Sequence, residues 1–170
     1  TVIVLGFVSL LNDASSEMVY PLLPALIVTT LGGSATSLAA LDGLADLTAA
    51  LLRLPAGKLA DRRERRPLLV LGGYGIAAAA RALIAVASSV GMVIGLRMTD
   101  RVGKGLRSPG RDAMLAEAVP AAQRGRAFGF HRAFDHGGAV VGSLLGWARL
   151  QYAGLTPRAV PQEWVGEGAN

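Results

Sequence analysis

Residues 57–67 read Gly57-Lys-Leu-Ala-Asp-Arg-Arg-Glu-Arg-Arg-Pro67, a segment with five bases within nine positions. The chain has no Lys or Arg before Arg53, and Arg81 is the only base between residues 67 and 96. The basic segment therefore lies between two long apolar runs. This pattern is typical of a short cytoplasmic loop between two membrane-spanning helices, because Lys and Arg accumulate on the cytoplasmic side.

The composition also indicates a membrane protein. Of the 170 residues, 52% are hydrophobic and 17% are charged, and 22 are glycines, which allow helices to pack closely in lipid. A water-soluble globule is disfavoured, and disordered or collagen-like chains are excluded. The absence of cysteine excludes disulfides, thiol nucleophiles and cysteine-ligated metal centres, and two histidines offer little for a metal site. No cofactor is expected.

Five membrane spans are predicted, because about 20 apolar residues cross the hydrocarbon layer. They lie near residues 1–29, 36–58, 67–89, 92–115 and 126–148. The loops between spans two and three and between spans four and five are basic, so we expect both to be cytoplasmic in a multi-pass protein of the plasma membrane. Apolar runs flank each basic cluster, so the net charge of +5 does not indicate a nucleic-acid partner.

The C-terminal segment, residues 149–170, is polar and contains no run long enough to span a bilayer. Residues 155–160 are a candidate lead into a sixth helix. We expect this segment to be aberrant, as in a shortened or frame-disrupted chain.

Residues 57–67 resemble the GxLaDRxGRR signature of the major facilitator superfamily, a family of twelve-helix secondary transporters. Glu64 replaces a glycine of that signature. The identical positions are Gly57, Leu59, Asp61, Arg62, Arg65 and Arg66.

Two further segments resemble patterns of the same superfamily. The run Arg97-Met-Thr-Asp-Arg-Val-Gly-Lys-Gly105 is similar to the fourth-helix pattern RxxQGxGxG, with Asp100 and Arg101 in place of Gln and Gly. The run from Gly138 through Gly142 to Gly146 is similar to the fifth-helix antiporter pattern GxxxGPxxG, with a serine in place of proline. The resemblance covers residues 1 to about 148.

The resemblance implies an all-α membrane bundle that corresponds to five helices of an N-terminal six-helix half. It implies transport of a small solute by alternating access, coupled to protons. Ser143 replaces the proline of the antiporter pattern, so both import and efflux stay open. It also implies that Asp61, Arg65 and Glu117 form a cytoplasmic charge network that holds two halves together. The alternative is that Arg62, Arg63 and Arg66 only set topology.

Ionisable residues within the first span are candidates for the transport cavity and for proton coupling. Asp13 and Glu17 lie one turn apart on a face that also contains Ser9 and Tyr20. Two acids in a low dielectric are hard to keep ionised together, so one is expected to hold a proton. The alternative is structural pairing with arginines of neighbouring helices.

The second and fourth spans contribute further candidates. Asp46 is expected to line the cavity or to pair with Arg97, whose fixed charge would favour the carboxylate form of a nearby acid. Asp100 and Arg101 are assigned to the same cavity. Arg107 and Arg111 are expected to extend towards the interface. Asp42 is expected to be solvated.

The fifth span combines a titratable pair with a packing motif. His131 and Asp135 lie one turn apart and could pass protons, although an anchoring role at the hydrated loop is equally consistent. Enzymatic catalysis by this pair is not expected, because no GxSxG or HExxH motif occurs. Gly138, Gly142 and Gly146 are predicted to form a groove for close helix contact.

Two functional hypotheses remain open at the level of sequence. The first is a transporter half, which binds a small solute and protons and pairs with a second half or with another copy. The second is a non-transporting membrane remnant or interaction module. The sequence does not identify the solute.

Overall fold

The structure is a computed structural model that describes residues 2–152, which are helices joined by short turns and include no strand. The helices are α1 (Val2–Val19), α2 (Leu22–Ala25), which continues as a π-helical turn over Leu26–Thr30, α3 (Ala35–Ala60), α4 (Arg66–Ile84), α5 (Val90–Glu117) and α6 (Arg124–Tyr152). The predicted all-α class is confirmed.

The helix bounds differ from the predicted spans at three places. The first predicted span, residues 1–29, comprises α1, α2 and the π-helical turn, with a turn at Tyr20 and Pro21 between α1 and α2. Helix α4 ends at Ile84, before the predicted residue 89. Ser89 instead caps the start of α5, where its side chain accepts a hydrogen bond from the Met92 backbone N–H. Helix α6 continues to Tyr152, so the first residues of the predicted polar tail are helical. The remainder of that tail, including the candidate lead into a sixth helix, lies outside the described residues.

Within residues 2–152, three segments are long and apolar enough to cross a membrane, namely Val2–Thr30, Ala35–Ala60 and Arg63–Ile84. Helices α5 and α6 contain 28 and 29 residues, and each is about 42 Å long at 1.5 Å per residue. They are therefore longer than the hydrocarbon layer of about 30 Å. Their many charged residues explain why apolarity alone does not identify them as spans.

Local signals fix the turn between the first helical segment and α3. Gly32 has a φ of +67°, a left-handed conformation that a glycine adopts without steric cost. Ser34 then caps α3, since its side chain accepts a hydrogen bond from the Ser37 N–H while the Ser37 side chain accepts one from the Ser34 N–H.

Small residues hold α5 close to its two neighbours. A Cβ atom built on Gly73 of α4 would lie 2.6 Å from the carbonyl oxygen of Gly103 on α5. A Cβ on Gly105 would lie 2.9 Å from the Cβ of Leu52 and 3.1 Å from the Ala49 carbonyl oxygen, both on α3. These helices therefore pack at backbone distance, as small residues permit in membranes.

Helix α6 packs along α1 in a second close seam. A Cβ built on Gly138 or Gly142 would overlap the carbonyl oxygen of Leu10 or Ala14, and one on Gly146 would lie 2.7 Å from the Met18 carbonyl oxygen. Three glycines four residues apart thus give α6 a flat face against α1. The bundle consists of the pair α1 and α6 beside the group α3, α4 and α5.

The two ends and the outer faces of the bundle differ in chemistry. At the end opposite the basic loop, an apolar core joins α2 and its π-helical turn with α3, α4 and α5. Its buried members are Leu23, Ile27, Leu41, Ile84 and Val93. Large apolar side chains cover the outer faces, as expected for contact with lipid; they include Leu51, Leu54, Leu71, Val140 and Leu144.

Candidate functional site

A charged cavity of about 570 Å³ lies between α1, α3, α5 and α6. Four carboxylates line it, and they are Asp13, Glu17, Asp112 and Asp135. Five basic side chains line it as well, and they are Arg53, Lys104, Arg107, Arg111 and Arg132. The described lining contains no Phe, Tyr or Trp, and its apolar members are Pro109 and Ala139. This wall is therefore suited to polar or charged molecules.

Helix α5 provides most of the cations because their spacing of three or four residues puts them on one face. This series runs Arg97, Arg101, Lys104, Arg107 and Arg111. Arg97 and Arg107 are 1% and 3% exposed. Ionisable groups at bilayer depth face a bundle interior or an aqueous cavity, since lipid cannot solvate them.

Asp13 of α1 is paired with α5 across the cavity wall. The Nη2 atom of Arg107 lies 3.4 Å from an Asp13 carboxylate oxygen. The Arg107 guanidinium also lies over the Tyr74 ring of α4, 4.6 Å from its centroid, in a cation–π contact. Asp13 therefore lies on the cavity wall and also pairs with an arginine of a neighbouring helix, while its role in transport stays a prediction.

A polar chain leads from the cavity into the bundle through His131. The Asp135 Oδ2 atom lies 3.5 Å from Nδ1 of His131, whose Nε2 lies 3.2 Å from the Ser9 hydroxyl. The Ser9 hydroxyl also lies 3.0 Å from the Tyr74 hydroxyl, and Nη1 of Arg111 donates to it at 3.0 Å. Four helices therefore meet at one buried serine.

The order of Ser9, His131 and Asp135 matches that of a hydrolase triad, but the serine is enclosed. Ser9 is 1% exposed and does not line the cavity. Its oxygen already accepts a hydrogen bond from Arg111. A nucleophile must reach its substrate, so the enclosed Ser9 is not placed to attack a bond.

A second buried cluster surrounds Asp100. This carboxylate lies 3.5 Å from Nη1 of Arg97 and 3.7 Å from Nε of Arg81. Arg81 also donates to Asn12 of α1, at 3.0 Å to its carbonyl oxygen and 2.6 Å to its side-chain oxygen. The Arg97 guanidinium lies 5.2 Å from the Tyr20 ring centroid. This cluster joins α1, α4 and α5.

Several predicted cavity residues lie outside the large cavity. Asp46 has a 78% exposed side chain and lies 3.7 Å from Nε of Arg101, so the expected pair with Arg97 does not form. Asp100 and Arg101 line a crevice of about 10 Å³ that shares Asp13 and other residues with the cavity. Arg97 is enclosed beside Asp100 and lines neither the cavity nor the crevice.

Two arginines that were expected at the interface lie inside the bundle instead. Arg107 pairs with Asp13, and Arg111 lies 3.5 Å from Asp135 and 3.3 Å from Asp112. Their position on the same helix face as Arg97 directs them inward, where carboxylates of α1 and α6 compensate their charge. Asp42, which was expected to be solvated, accepts a hydrogen bond of 2.9 Å from the Tyr20 hydroxyl.

At the basic end of the bundle, Glu117 connects two loops. Its Oε1 atom lies 2.9 Å from Nε of Arg63 and 2.6 Å from Nη1 of Arg66. The hydrogen bond from Arg63 and the nearby Arg66 hold the pKa of Glu117 below its ordinary value, and the same bond raises the pKa of Arg63. Within residues 2–152, no three side chains of His, Asp or Glu cluster as metal ligands.

Comparison with known proteins identifies the family of this bundle. A sequence profile of the Major Facilitator Superfamily matches residues 5–160. The chain belongs to this superfamily. It is an all-α membrane protein of a transporter family.

Three relatives show how far along the chain the sequence similarity extends. An uncharacterised MFS-type transporter of Methanocaldococcus jannaschii is 38% identical over 89% of this chain and 37% of its own length. An uncharacterised protein of Mycobacterium tuberculosis is 33% identical over 84% of this chain and 35% of its length. The multidrug resistance protein MdtH of Cronobacter sakazakii is 33% identical over 79% of this chain and 33% of its length. The chain spans about a third of these relatives.

The superfamily signature occupies the end of α3 and the following turn. Gly57 lies in the last turn of α3, and Asp61 is its C-terminal cap residue. The expected network of Asp61, Arg65 and Glu117 has different members, since Glu117 pairs with Arg63 and Arg66 among residues 2–152. Arg63 begins the 3₁₀ turn Arg63–Arg65 and Arg66 begins α4, and both contact Glu117 at the end of α5.

Some residues of these buried clusters had no assigned role at the level of sequence. Arg81 could have been found, because it is a single base within an apolar run and such residues face a bundle interior. Tyr74 and Asn12 gave no signal, since neither type is unusual at a helix interface. Their roles depend on which side chains the neighbouring helices present.

Proposed function

We propose that this chain forms one half of a secondary transporter that moves a small solute by alternating access, coupled to protons. The observation that supports this most directly is the charged cavity of about 570 Å³ inside a helical bundle of transporter ancestry. Transporter sites are formed near the bilayer midplane between two repeats. A second half or a second copy of the chain would supply the opposite wall.

Proton coupling would use carboxylates that face the cavity, namely Asp13, Glu17 and Asp135. Asp135 is the strongest candidate, because its Oδ1 atom is buried and has no hydrogen-bond donor among residues 2–152. A bound proton would remove the charge from that oxygen and convert it to a donor. His131 contacts Asp135 on one side and Ser9 on the other, and it would carry the proton from Asp135 towards Ser9.

Loop chemistry supports an orientation in the membrane. The segments after α3 and α5 contain the clustered bases, and we place both on the cytoplasmic side of the plasma membrane. The contact of Glu117 with Arg63 and Arg66 would then hold these two loops together on that side. We assign no enzymatic activity to the chain, since Ser9 is enclosed.

Flux in sealed vesicles under an imposed pH gradient tests the proposed function. The chain is reconstituted alone and with a candidate second half, and the labelled probes are benzenesulfonate, betaine and phenyltrimethylammonium. We expect at least one probe to move faster with the gradient than without it. Absence of gradient-dependent movement of all three would contradict transport and favour a membrane interaction module.

Two matched variants locate the coupling. Asp13→Asn removes a carboxylate of the cavity, whereas Asp46→Asn makes the same change at an exposed position outside it. We expect Asp13→Asn to lower the gradient-dependent flux by about tenfold, equivalent to about 1.4 kcal/mol. Asp46→Asn should leave it within about twofold, less than 0.5 kcal/mol. Equal effects of the two variants would contradict the assignment of Asp13.

A further inference from the structure

We propose that the cavity binds an anionic solute, one with a carboxylate, sulfonate or phosphate group, and that Lys104 and Arg107 are its principal ligands. This inference rests on the proposed function, because it names the class of solute that the cavity takes. Four observations support it, and they concern the polarity, charge, unpaired donors and size of the cavity.

The cavity wall disfavours an apolar solute. Binding sites for drug-like molecules are lined mainly by hydrophobic and aromatic side chains. Here the described lining contains no Phe, Tyr or Trp, and most members are ionisable. A solute that enters this space must therefore satisfy charged groups.

The charge of the wall favours an anion over a cation. Along the described lining, five Lys and Arg side chains face four carboxylates, so basic groups outnumber acidic ones. Three of the carboxylates are already in ion pairs, namely Asp13 with Arg107 and both Asp112 and Asp135 with Arg111. A cationic solute would have to compete with these arginines.

The donors that remain free lie on α5 and at the edge of the cavity. Lys104 forms no ion pair among residues 2–152 and lies one helical turn from both Arg101 and Arg107. The Nε atom of Arg107 is buried and has no hydrogen-bond acceptor within the described residues. Arg53 and Arg132 are exposed cations of the same wall.

Arg111 is not part of this set, because its donors are already used. Its Nη1 atom donates to Ser9, and its Nε and Nη2 atoms donate to Asp112. An anion between Lys104 and Arg107 would accept hydrogen bonds from both and reduce the repulsion between neighbouring cations on α5. A cavity of about 570 Å³ lies within the usual range of about 300–1,000 Å³ for small-molecule sites.

A single thiol on the cavity wall tests this proposal. The chain has no cysteine, so Ala139→Cys introduces the one reactive group, which a neutral maleimide labels in proteoliposomes. The probes are benzenesulfonate, benzenesulfonamide and phenyltrimethylammonium, which share an aromatic ring and differ in charge. We expect benzenesulfonate to slow labelling at a concentration about tenfold lower than the other two require, equivalent to about 1.4 kcal/mol.

The two lysines of the chain provide matched variants. Lys104→Gln should raise the concentration of benzenesulfonate needed for protection about tenfold, and Lys104→Arg should largely preserve it. Lys58→Gln makes the same change at an exposed position outside the cavity and should have no effect.

A second measurement avoids any change at Lys104. The Ala139→Cys thiol is labelled with methanethiosulfonate reagents that carry a sulfonate or a trimethylammonium group. Each labelling rate is divided by the rate at which the same reagent reacts with 2-mercaptoethanol in solution. We expect a normalised preference for the sulfonate reagent of about tenfold. In the protection assay, the proposal would be overturned by equal protection from the three probes, by better protection from the cation, or by no protection. In the methanethiosulfonate assay, it would be overturned by a preference for the cationic reagent. Anion-selective protection without gradient-driven flux would refute transport and retain anion binding.

Discussion

Replacing Gly142 with alanine should loosen the seam between α1 and α6. The Cβ atom that this substitution adds would lie 2.8 Å from the Cα atom and 2.9 Å from the carbonyl carbon of Ala14. Both atoms belong to the backbone of α1, so no side chain can rotate away. Because carbon atoms in contact prefer a separation of about 3.5–4.0 Å, α1 must move by roughly 1 Å.

The size of the effect follows from two opposing terms. Overpacking of a tight interface costs about 1–3 kcal/mol. Alanine is a better helix former than glycine by up to about 1 kcal/mol, which offsets part of that loss. We therefore expect Gly142→Ala to lower the free energy of unfolding by about 1–2 kcal/mol.

Gly137→Ala is the matched control on the same helix. A Cβ at Gly137 meets no atom within 4 Å, so this variant should be neutral or more stable by up to about 1 kcal/mol. Unfolding by sodium dodecyl sulfate in mixed micelles, followed by far-ultraviolet circular dichroism, measures both variants. Equal stability of Gly142→Ala and Gly137→Ala would refute the close approach of α1 and α6.

Three further predictions concern charged and titratable groups. The pKa of Glu117 is lowered, so its contacts with arginine should stabilise the bundle fully above the ordinary pKa of 4.5. This stabilisation should be lost as the pH falls below that value. Glu117→Gln should remove this pH dependence from unfolding curves measured in micelles. Asp100→Asn should destabilise the protein by about 3–5 kcal/mol, because it leaves buried guanidinium groups uncompensated, whereas Asp112→Asn at a partly exposed position should cost at most about 1 kcal/mol; equal losses would contradict the buried cluster. Neutral His131 should have its proton on Nδ1, facing Asp135, and nitrogen NMR of the two histidines would contradict this by showing the Nε2–H form.

The fold was predictable because its signals are long-range and redundant. Bases cluster after Leu59 and are absent before Arg53, and this alternation marks loops independently of any single residue. The spacing of Gly138, Gly142 and Gly146 likewise predicts a flat helix face without reference to a partner. Such periodic patterns indicate which elements form and which face is buried.

The pairing of charges was much less predictable. Asp46 and Arg97 were expected to meet, but Asp46 contacts Arg101 while Arg97 contacts Asp100. Periodicity gives the face of a helix but not its rotation or height against a neighbour, and a shift of one turn exchanges one arginine for the next. The prediction for Arg107 was wrong for a related reason. Its distance from the loop suggested an interfacial position, but the rotation of α5 directs its side chain into the bundle.

Adjacent positions on α6 give the most direct test of a water-filled cavity within a lipid-embedded bundle. Ala139 lines the cavity, whereas Val140 is 59% exposed on the outer apolar face. In proteoliposomes, a membrane-impermeant thiol reagent should label Ala139→Cys at least about tenfold faster than Val140→Cys, because thiolates form and react in water but not in hydrocarbon. Equal labelling of the two positions, or faster labelling of Val140→Cys, would contradict a water-filled cavity on this side of α6.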